Sequence, residues 1–340
     1  MLGSMYAQVA AARRRICRRE GRQRRLRQPV VSVGNLRVGG TGKTPTVAHL
    51  ARLLLEMGER PAILSRGYAR PVPLDGIVVV SDGRRVRADL DASGDEPLML
   101  ARAVEGASVL VSADRYLAGR LAETHFGATV HLLDDGFQHL ALARGTDLVI
   151  VSPEDLADPR TLPGGRLREP LGAAADADAL LVAGATDDQA SAMADRLHVA
   201  TVFRLLREAG EPERLDLFGP AATVTTRGPV YAFAGVARPE RFFEELRSNG
   251  WNVAGTAPFP DHHRYSAHDL ARVAASARTA GATSLVTTEK DVMRLLRFRP
   301  LPLPLMWVPL VVRIEPAQAF RGWLAERLAA ERSAESGARA

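Results

Sequence analysis

Twelve residues, Gly34 to Pro45 (GNLRVGGTGKTP), constrain this chain more than any others. Before them, Pro29 to Val33 (PVVSV) has the make-up of a short buried strand. After them, Val47, Leu50, Leu54 and Met57 recur at helical spacing. Strand, glycine-rich loop and helix, in that order, form the context of a phosphate-binding loop. Gly39, Gly40, Thr41 and Gly42 let backbone N–H groups close around phosphate oxygens, and the helix N-terminus adds its dipole. Lys43 is placed to reach the β- and γ-phosphates of a nucleotide such as ATP, and the Thr44 hydroxyl to hold Mg2+.

The glycine spacing is unusual. The common pattern, G-x-x-x-x-G-K-S/T, would put its first glycine where this chain has Arg37; Gly39 and Gly40 supply the flexibility instead. The spacing is closer to the G-G-x-G-K-T form of partitioning-type ATPases, but Val38 stands where those carry a signature lysine.

A chain of 340 residues has room for two domains with ample core. Its single cysteine, Cys17, excludes an internal disulfide and fits a reducing compartment. No run of eighteen apolar residues occurs, which excludes an ordinary transmembrane helix, and no secretory signal is visible. Charge is unevenly spread: nine arginines fall between Arg13 and Arg27. Ahead of and among them, Leu2, Met5, Tyr6, Val9 and Ile16 share roughly one helical face. Three readings fit residues 1–27: an interfacial helix on an anionic membrane surface, a surface helix packed on the core, or a nucleic-acid arm. Arginine is used almost throughout, so the two lysines, Lys43 and Lys290, stand out.

Apolar runs continue down the chain. Ala62–Leu64 leads into Ser65-Arg66-Gly67-Tyr68, a loop at a strand end, where open parallel sheets place ligand-binding residues. Ile77–Val80 and Arg84–Arg87 flank Asp82-Gly83, a hairpin signal. Asp95 and Glu96 open a helix; they either cap it or face the nucleotide. Val130–Leu133 ends in Asp134-Asp135-Gly136, and an apolar strand ending in acids downstream of a phosphate-binding loop is the Walker-B arrangement. Arg166 and Arg168 lie in the loop Leu162–Pro170, able to meet phosphate or to stay solvated.

The expected fold is α/β: a P-loop NTPase-like, mostly parallel sheet core, a second and smaller α/β domain, and an N-terminal amphipathic helix. The boundaries read as 1–27 for the helix and basic segment, 28–205 for the core, 206–328 for the smaller domain and 329–340 for a disordered tail. In the smaller domain Met306–Val312 reads as the last strand and Ala317–Leu328 as the last helix.

The segments VGNLRVGGTGKTP, SRGYAR, SGDEP, LDDGFQH, LPGGRLREP, FAGVARPERFF, FPDHHRY and TTEKD run in order from residue 33 to residue 291. Together they closely resemble the tetraacyldisaccharide 4'-kinase family, the lipid A 4'-kinases of Gram-negative bacteria. The irregular glycine spacing is that family's own. The resemblance implies transfer of the ATP γ-phosphoryl group to the 4'-hydroxyl of a tetra-acylated disaccharide 1-phosphate, with ATP and Mg2+ as cofactors. It implies a peripheral protein on the cytoplasmic face of the inner membrane, whose partners are the lipid disaccharide and an anionic membrane surface. No nucleic acid and no obligate protein partner are implied. It carries Asp95 over as the catalytic base and His262 as its partner, His262 rather than His263 because the family's histidine directly follows the aspartate, here Asp261. It carries Lys43, Thr44, Glu96, Asp134 and Asp135 over as ATP and Mg2+ residues. Asp95 and His262 would then come from different domains, whose closure would assemble the site. The competing reading is a membrane-recruited P-loop ATPase switch with no small-molecule acceptor; Val38 and the PDHH loop argue against it. For Lys290 two roles stay open: contact with the substrate's 1-phosphate or the domain junction, or pairing with Glu289 or Asp291 to fix a turn.

Overall fold

The computed structural model describes residues 2–17, 23–67, 75–215, 222–223 and 228–337. The chain divides into two compact units, Met1–Arg207 with Val312–Ala340, and Glu208–Val311.

The first unit is built on six parallel strands, mostly apolar but with polar residues chiefly at their ends: β1 Val30–Asn35, β2 Pro61–Ser65, β4 Ser108–Val111, β5 Val130–Asp134, β6 Thr146–Val151 and β7 Ala179–Ala183. Every residue of these six is buried, the pattern of strands covered on both faces by helices. With β3 Val78–Asp82, β8 Val202–Ala209 and β15 Leu310–Glu315 they form a nine-stranded sheet in the order β15-β8-β7-β6-β1-β5-β2-β4-β3. Only β3 is shown antiparallel to its neighbour, β4; the pairs from β4 across to β8 are parallel. β1 lies between β5 and β6, with Val33 beside Asp134 on one side and Leu148 on the other. The loops leaving β1, β2, β5 and β6 therefore open on one carboxyl edge, where such sheets bind ligands.

One close approach joins two of those loops. A side chain at Gly34 would sit 2.8 Å from the backbone nitrogen of Phe137, so only glycine lets the tip of β1 pass the turn after β5. Phe137 itself is buried with Leu36, Val149 and Leu167 in one core cluster.

The N-terminal helix, Leu2–Cys17, forms as expected, but the basic stretch after it is not a uniform tail. Residues 18–22 lie outside the described residues. Arg14 is buried: it pairs with Glu169 at 2.5 Å, donates to the Phe137 carbonyl at 3.2 Å and lies 4.0 Å over the Phe137 ring. Arg24 forks Asp114 at 2.8 and 2.6 Å, and Leu26 joins the core. Apolar contacts and complementary carboxylates on the first unit pull this stretch onto the protein.

Five other expectations are corrected. The smaller unit ends at Val311, not at 328. Pro309 splits the expected last strand: β14, Leu305–Val308, belongs to the small unit's sheet and β15 to the large one. The last helix, Ala317–Gly337, belongs to the first unit, where Phe320, Leu324 and Leu328 bury one face. It runs on past 328 because polar anchors hold it: Arg332 pairs with Glu59 at 2.8 Å, and Glu331 accepts from the Val30 N–H at 3.3 Å. A disordered tail from 329 is thus excluded up to residue 337. The Asp82-Gly83 hairpin shrinks to a turn, with a single bridge between Ser81 and Val86.

The second unit carries a six-stranded sheet. Its strands are β9 Glu213–Arg214, β10 Ala222–Thr223, β11 Val230–Ala234, β12 Val253–Pro258, β13 Ser284–Thr288 and β14, in the order β10-β9-β14-β13-β11-β12. β14, β13, β11 and β12 are parallel, and helices Pro239–Ser248 and Ala267–Thr279 connect them. A core of Val230, Ala232, Phe243, Leu246, Val286 and Met306 lies on one face.

Candidate active site

The loop after β1 takes the shape its glycines allow. Gly39 and Gly42 adopt φ of 103° and 86°, backbone that L side chains rarely reach, and Gly42 caps the helix Lys43–Glu56. Arg207 reaches the same loop, 3.5 Å from the Thr41 carbonyl. Asn35, the last residue of β1, holds the loop from beneath: its amide donates to Thr41 Oγ1 at 2.8 Å, and its carbonyl oxygen accepts from Lys43 Nζ at 3.1 Å. Thr44 is buried in the first turn.

Opposite stands the tip of β5. Asp134 is buried at the strand's end and Asp135 follows in a left-handed conformation, φ 54°, which an aspartate tolerates. Gly136 follows because a side chain there would meet Ser32 Oγ at 2.6 Å. The two carboxylates have opposite surroundings. Arg168 forks Asp135 at 2.8 and 2.7 Å while also bonding Asn35, and Lys43 lies 3.6 Å from Asp135. Burial pushes the Asp135 carboxyl up, but the Arg168 fork, Lys43 and Arg115 outweigh it and hold it at about 2. Asp134 has no such fork; Ser65 Oγ is 3.4 Å away. Burial, then Glu96 and Asp135, push it up to about 7 against Lys43 and Arg115. Arg115 is lowered to about 10 by burial and by Arg66, so it remains a cation facing both carboxylates. His139 is lowered to about 4 by burial, Arg115 and Arg144, and is a neutral neighbour.

Asp95 and Glu96 open the helix Asp95–Ala103 behind Gly94. Asp95 is buried and accepts the Glu96 N–H at 3.0 Å, while the Glu96 charge reaches Asp134. Gly94 is the N-cap and no side chain caps this helix, so of the capping reading what remains is two acids in the first turn, where they favour the helix dipole. The first unit brings Gly39 to Thr44, Glu96, Asp134 and Asp135 to one edge. Tyr68 to Arg70 of the SRGYAR segment lie outside the described residues.

The expected metal set of Thr44, Glu96, Asp134 and Asp135 is not a ready-made cage. Among the described residues no group of three or more His, Cys, Asp or Glu side chains converges on a metal position. Asp135 is committed to Arg168. Mg2+ in phosphoryl-transfer sites takes one or two carboxylates and completes its shell with phosphate and water. Asp134 and the Thr44 hydroxyl fit that smaller role.

His262 lies in the second unit, at the end of the loop after β12, with φ 59°. Lys290 Nζ is 3.2 Å from its Nε2 and Arg294 Nη2 is 3.3 Å from its Nδ1. Lys290 thus stands on this histidine's ring. His263 points elsewhere: it lies 3.3 Å from Asp269 and packs against Phe259 at 4.7 Å between centroids. Sequence reasoning missed Asn35, Arg115 and Arg294. Only Asn35 had a readable signal, a polar residue closing an apolar strand.

Comparisons with known proteins point to one family. A family model described as tetraacyldisaccharide-1-P 4'-kinase matches residues 1–329. A tetraacyldisaccharide 4'-kinase from Geobacter metallireducens is 42% identical over 282 residues, 81% of this chain and 80% of that protein. One from Rhodopseudomonas palustris is 40% identical over 335 residues, 97% of this chain and 92% of that protein. The solved structure of LpxK from Aquifex aeolicus in complex with ATP superposes with a TM-score of 0.77 at 29% identity, covering 96% of this chain and all of that one.

The split between the two carboxylates gives a stability test. A carboxyl raised from 3.8 to about 7 stabilises the fold fully below its ordinary range, and that stability is lost as pH climbs through the folded value. In nucleotide- and Mg2+-free buffer, Asp134→Asn should therefore melt several degrees above wild type at about pH 8, with the gap closing toward about pH 4. A wild type that melts higher at alkaline pH would contradict the assigned environment.

Proposed function

The chain belongs to the tetraacyldisaccharide-1-P 4'-kinase family, and on that premise we propose which of its residues carry the transfer. The protein is an ATP-dependent kinase that phosphorylates the 4'-hydroxyl of tetraacyldisaccharide 1-phosphate, giving the bis-phosphorylated lipid A precursor. The reading of an acceptor-free ATPase switch is not favoured.

In our reading the loop Gly39–Thr44 cradles the phosphates, with Lys43 exchanging Asn35 and Asp135 for phosphate oxygens. Asp134 and Thr44 would hold Mg2+, with Glu96 as a neighbouring charge, and the bound ion would neutralise phosphate oxygens. Asp95 is the base. The 4'-oxygen attacks the γ-phosphorus, the bond from that phosphorus to the oxygen bridging to ADP breaks, and the hydroxyl proton passes to the Asp95 carboxylate. Asp95 suits this because one oxygen is anchored by the Glu96 N–H, which fixes the carboxylate's direction. His262 is carried over as the partner of that base. The single observation that supports this assignment best is the electrostatic division at β5: one carboxylate locked by Arg168, the other held near neutrality in a buried, cation-lined edge.

We further propose that the protein works on the cytoplasmic face of the inner membrane, docked by its first helix. No described helix is long and apolar enough to cross a membrane. On Leu2–Cys17, however, Met5, Val9 and Ile16 expose 64%, 66% and 43% of their surface, at spacings that put them on one face beside exposed Arg13 and Arg15. That is the pattern of an interfacial helix.

Two experiments check these roles. With γ-labelled ATP and the lipid disaccharide, Asp95→Ala and His262→Ala should each lower kcat by a factor on the order of a hundred or more, and the double variant should be little worse than the poorer single. Fully multiplicative losses would mean two independent functions. For docking, Met5→Ser, Val9→Ser and Ile16→Ser together should weaken binding to anionic vesicles on the order of a hundredfold or more, since fully burying one such side chain is worth about 1.5–3 kcal/mol and roughly half of each surface is exposed here for a membrane to bury. ATP binding should be unchanged, because none of the three touches the nucleotide loop. Undiminished co-sedimentation would exclude this helix as the anchor. Deleting residues 1–27 is a poorer test, because Arg14 and Leu26 belong to the folded unit.

A further inference from the structure

The second unit surrounds His262 with a polar scaffold that none of the assigned roles uses. Lys290 and Arg294 are one turn apart on the helix Glu289–Leu295, so both project from one face. Between them in sequence is Asp291, which is fully buried. It accepts from the Gly235 N–H at 3.0 Å, from Thr288 Oγ1 at 2.7 Å and from Tyr265 Oη at 3.0 Å. Burial, with Asp291 beside it, pushes the Tyr265 hydroxyl well up, so it stays a donor. Arg294, only 5% exposed, donates through Nη1 to Asp291 at 3.1 Å and to the Gly235 carbonyl at 2.9 Å. Its other terminal nitrogen, Nη2, faces His262 Nδ1. The His262 N–H meets the same Gly235 carbonyl at 3.2 Å. Backbone and ring of this left-handed histidine are thus referred to one buried ion pair.

The chemistry of the donors decides what this does. A guanidinium has only N–H donors and no acceptor. The nitrogen it faces must therefore be the acceptor, and in a neutral imidazole the proton then resides on the other nitrogen. Lys290 is also only a donor and faces Nε2 at 3.2 Å, so a neutral ring cannot satisfy both; the fork, tied to Asp291 and the Gly235 carbonyl, cannot turn away, whereas the compact ammonium on its flexible, half-buried stem can.

We propose that Arg294, seated by Asp291, is the positioning residue of His262: it fixes the ring plane and the tautomer, leaving Nε2–H as the nitrogen the ring presents. The proposal rests on the reading of His262 as the partner of the base, and it explains what that partner needs. A residue that orients a carboxylate must donate to it from a fixed nitrogen.

Long-range 1H–15N correlation spectra of 15N-histidine-labelled protein test it directly, with the His262 ring assigned by its loss in His262→Ala. The expected wild-type pattern is an unprotonated Nδ1 and a protonated Nε2 at neutral pH. A proton on Nδ1 in the wild type overturns the proposal whether or not any variant folds. In Arg294→Lys, which keeps the charge but loses the fork, the tautomers should mix. Its kcat should fall on the order of tenfold to a hundredfold while KM for ATP stays put, as expected for a displaced catalytic group. In a His262→Ala background the same change should have almost no further effect on kcat. A folded Arg294→Lys with wild-type spectrum and kcat, or an undiminished loss in the His262→Ala background, would overturn the positioning role. If His262→Ala itself keeps wild-type kcat, the reading of His262 fails instead, and the spectrum still reports whether Arg294 sets the ring.

Discussion

Two carboxylates side by side at the end of a buried strand repel each other, and the site is organised around that repulsion. Asp134 closes β5 and is buried, and Asp135 follows it with its side chain 39% exposed. The protein treats them unequally. Asp135 receives the Arg168 fork and the nearby Lys43 ammonium and is held at about 2, whereas Asp134 is left to burial and to its acidic neighbours and rises to about 7. A single charge-balanced pair would need none of the surrounding apparatus. The unequal pair leaves Asp134, with Lys43 and Arg115 acting on it from a distance, as the carboxylate not committed to a fork.

Other features follow from holding this edge in place. Gly34 lets β1 approach the turn after β5, so that Asn35 can meet Arg168, Thr41 and Lys43 together. Glu169, next to Arg168, is the partner of Arg14 on the first helix, and Arg14 also reaches the Phe137 carbonyl. The helix with the exposed apolar face is therefore tied through one buried arginine to the turn that bears the carboxylates. The exposed apolar face of this helix is thereby held in a fixed place on the first unit.

Much of this was legible in the sequence, for identifiable reasons. The glycine loop and the Asp134-Asp135-Gly136 turn sit at the ends of strands whose apolar runs are unambiguous, and strand tips are where this fold puts its chemistry. The family segments then assign roles to Asp95 and His262. What could not be read depends on contacts between distant positions. The Arg168–Asp135 fork joins residues 33 positions apart, and in sequence Arg168 looked as able to be solvated as to bind. The helical period of Ala317–Leu328 announced a helix but not the unit it would join. Its extension to Gly337 rests on Arg332 and Glu331, whose partners Glu59 and Val30 lie at the other end of the chain. Lys290 was conspicuous by composition alone; its place on the His262 ring required the fold.

Lys43, which bridges Asn35 and Asp135 in this structure, is in our proposal the cation that meets the transferred phosphoryl group. The most direct measurement is transfer of label from γ-labelled ATP to the lipid disaccharide by wild type and by Lys43→Ala of matched melting temperature. Wild type should place label on the 4'-oxygen and the variant should lose several orders of magnitude of transfer, with the fold intact because Arg168 still neutralises Asp135. Near-normal transfer by a folded Lys43→Ala protein would contradict it.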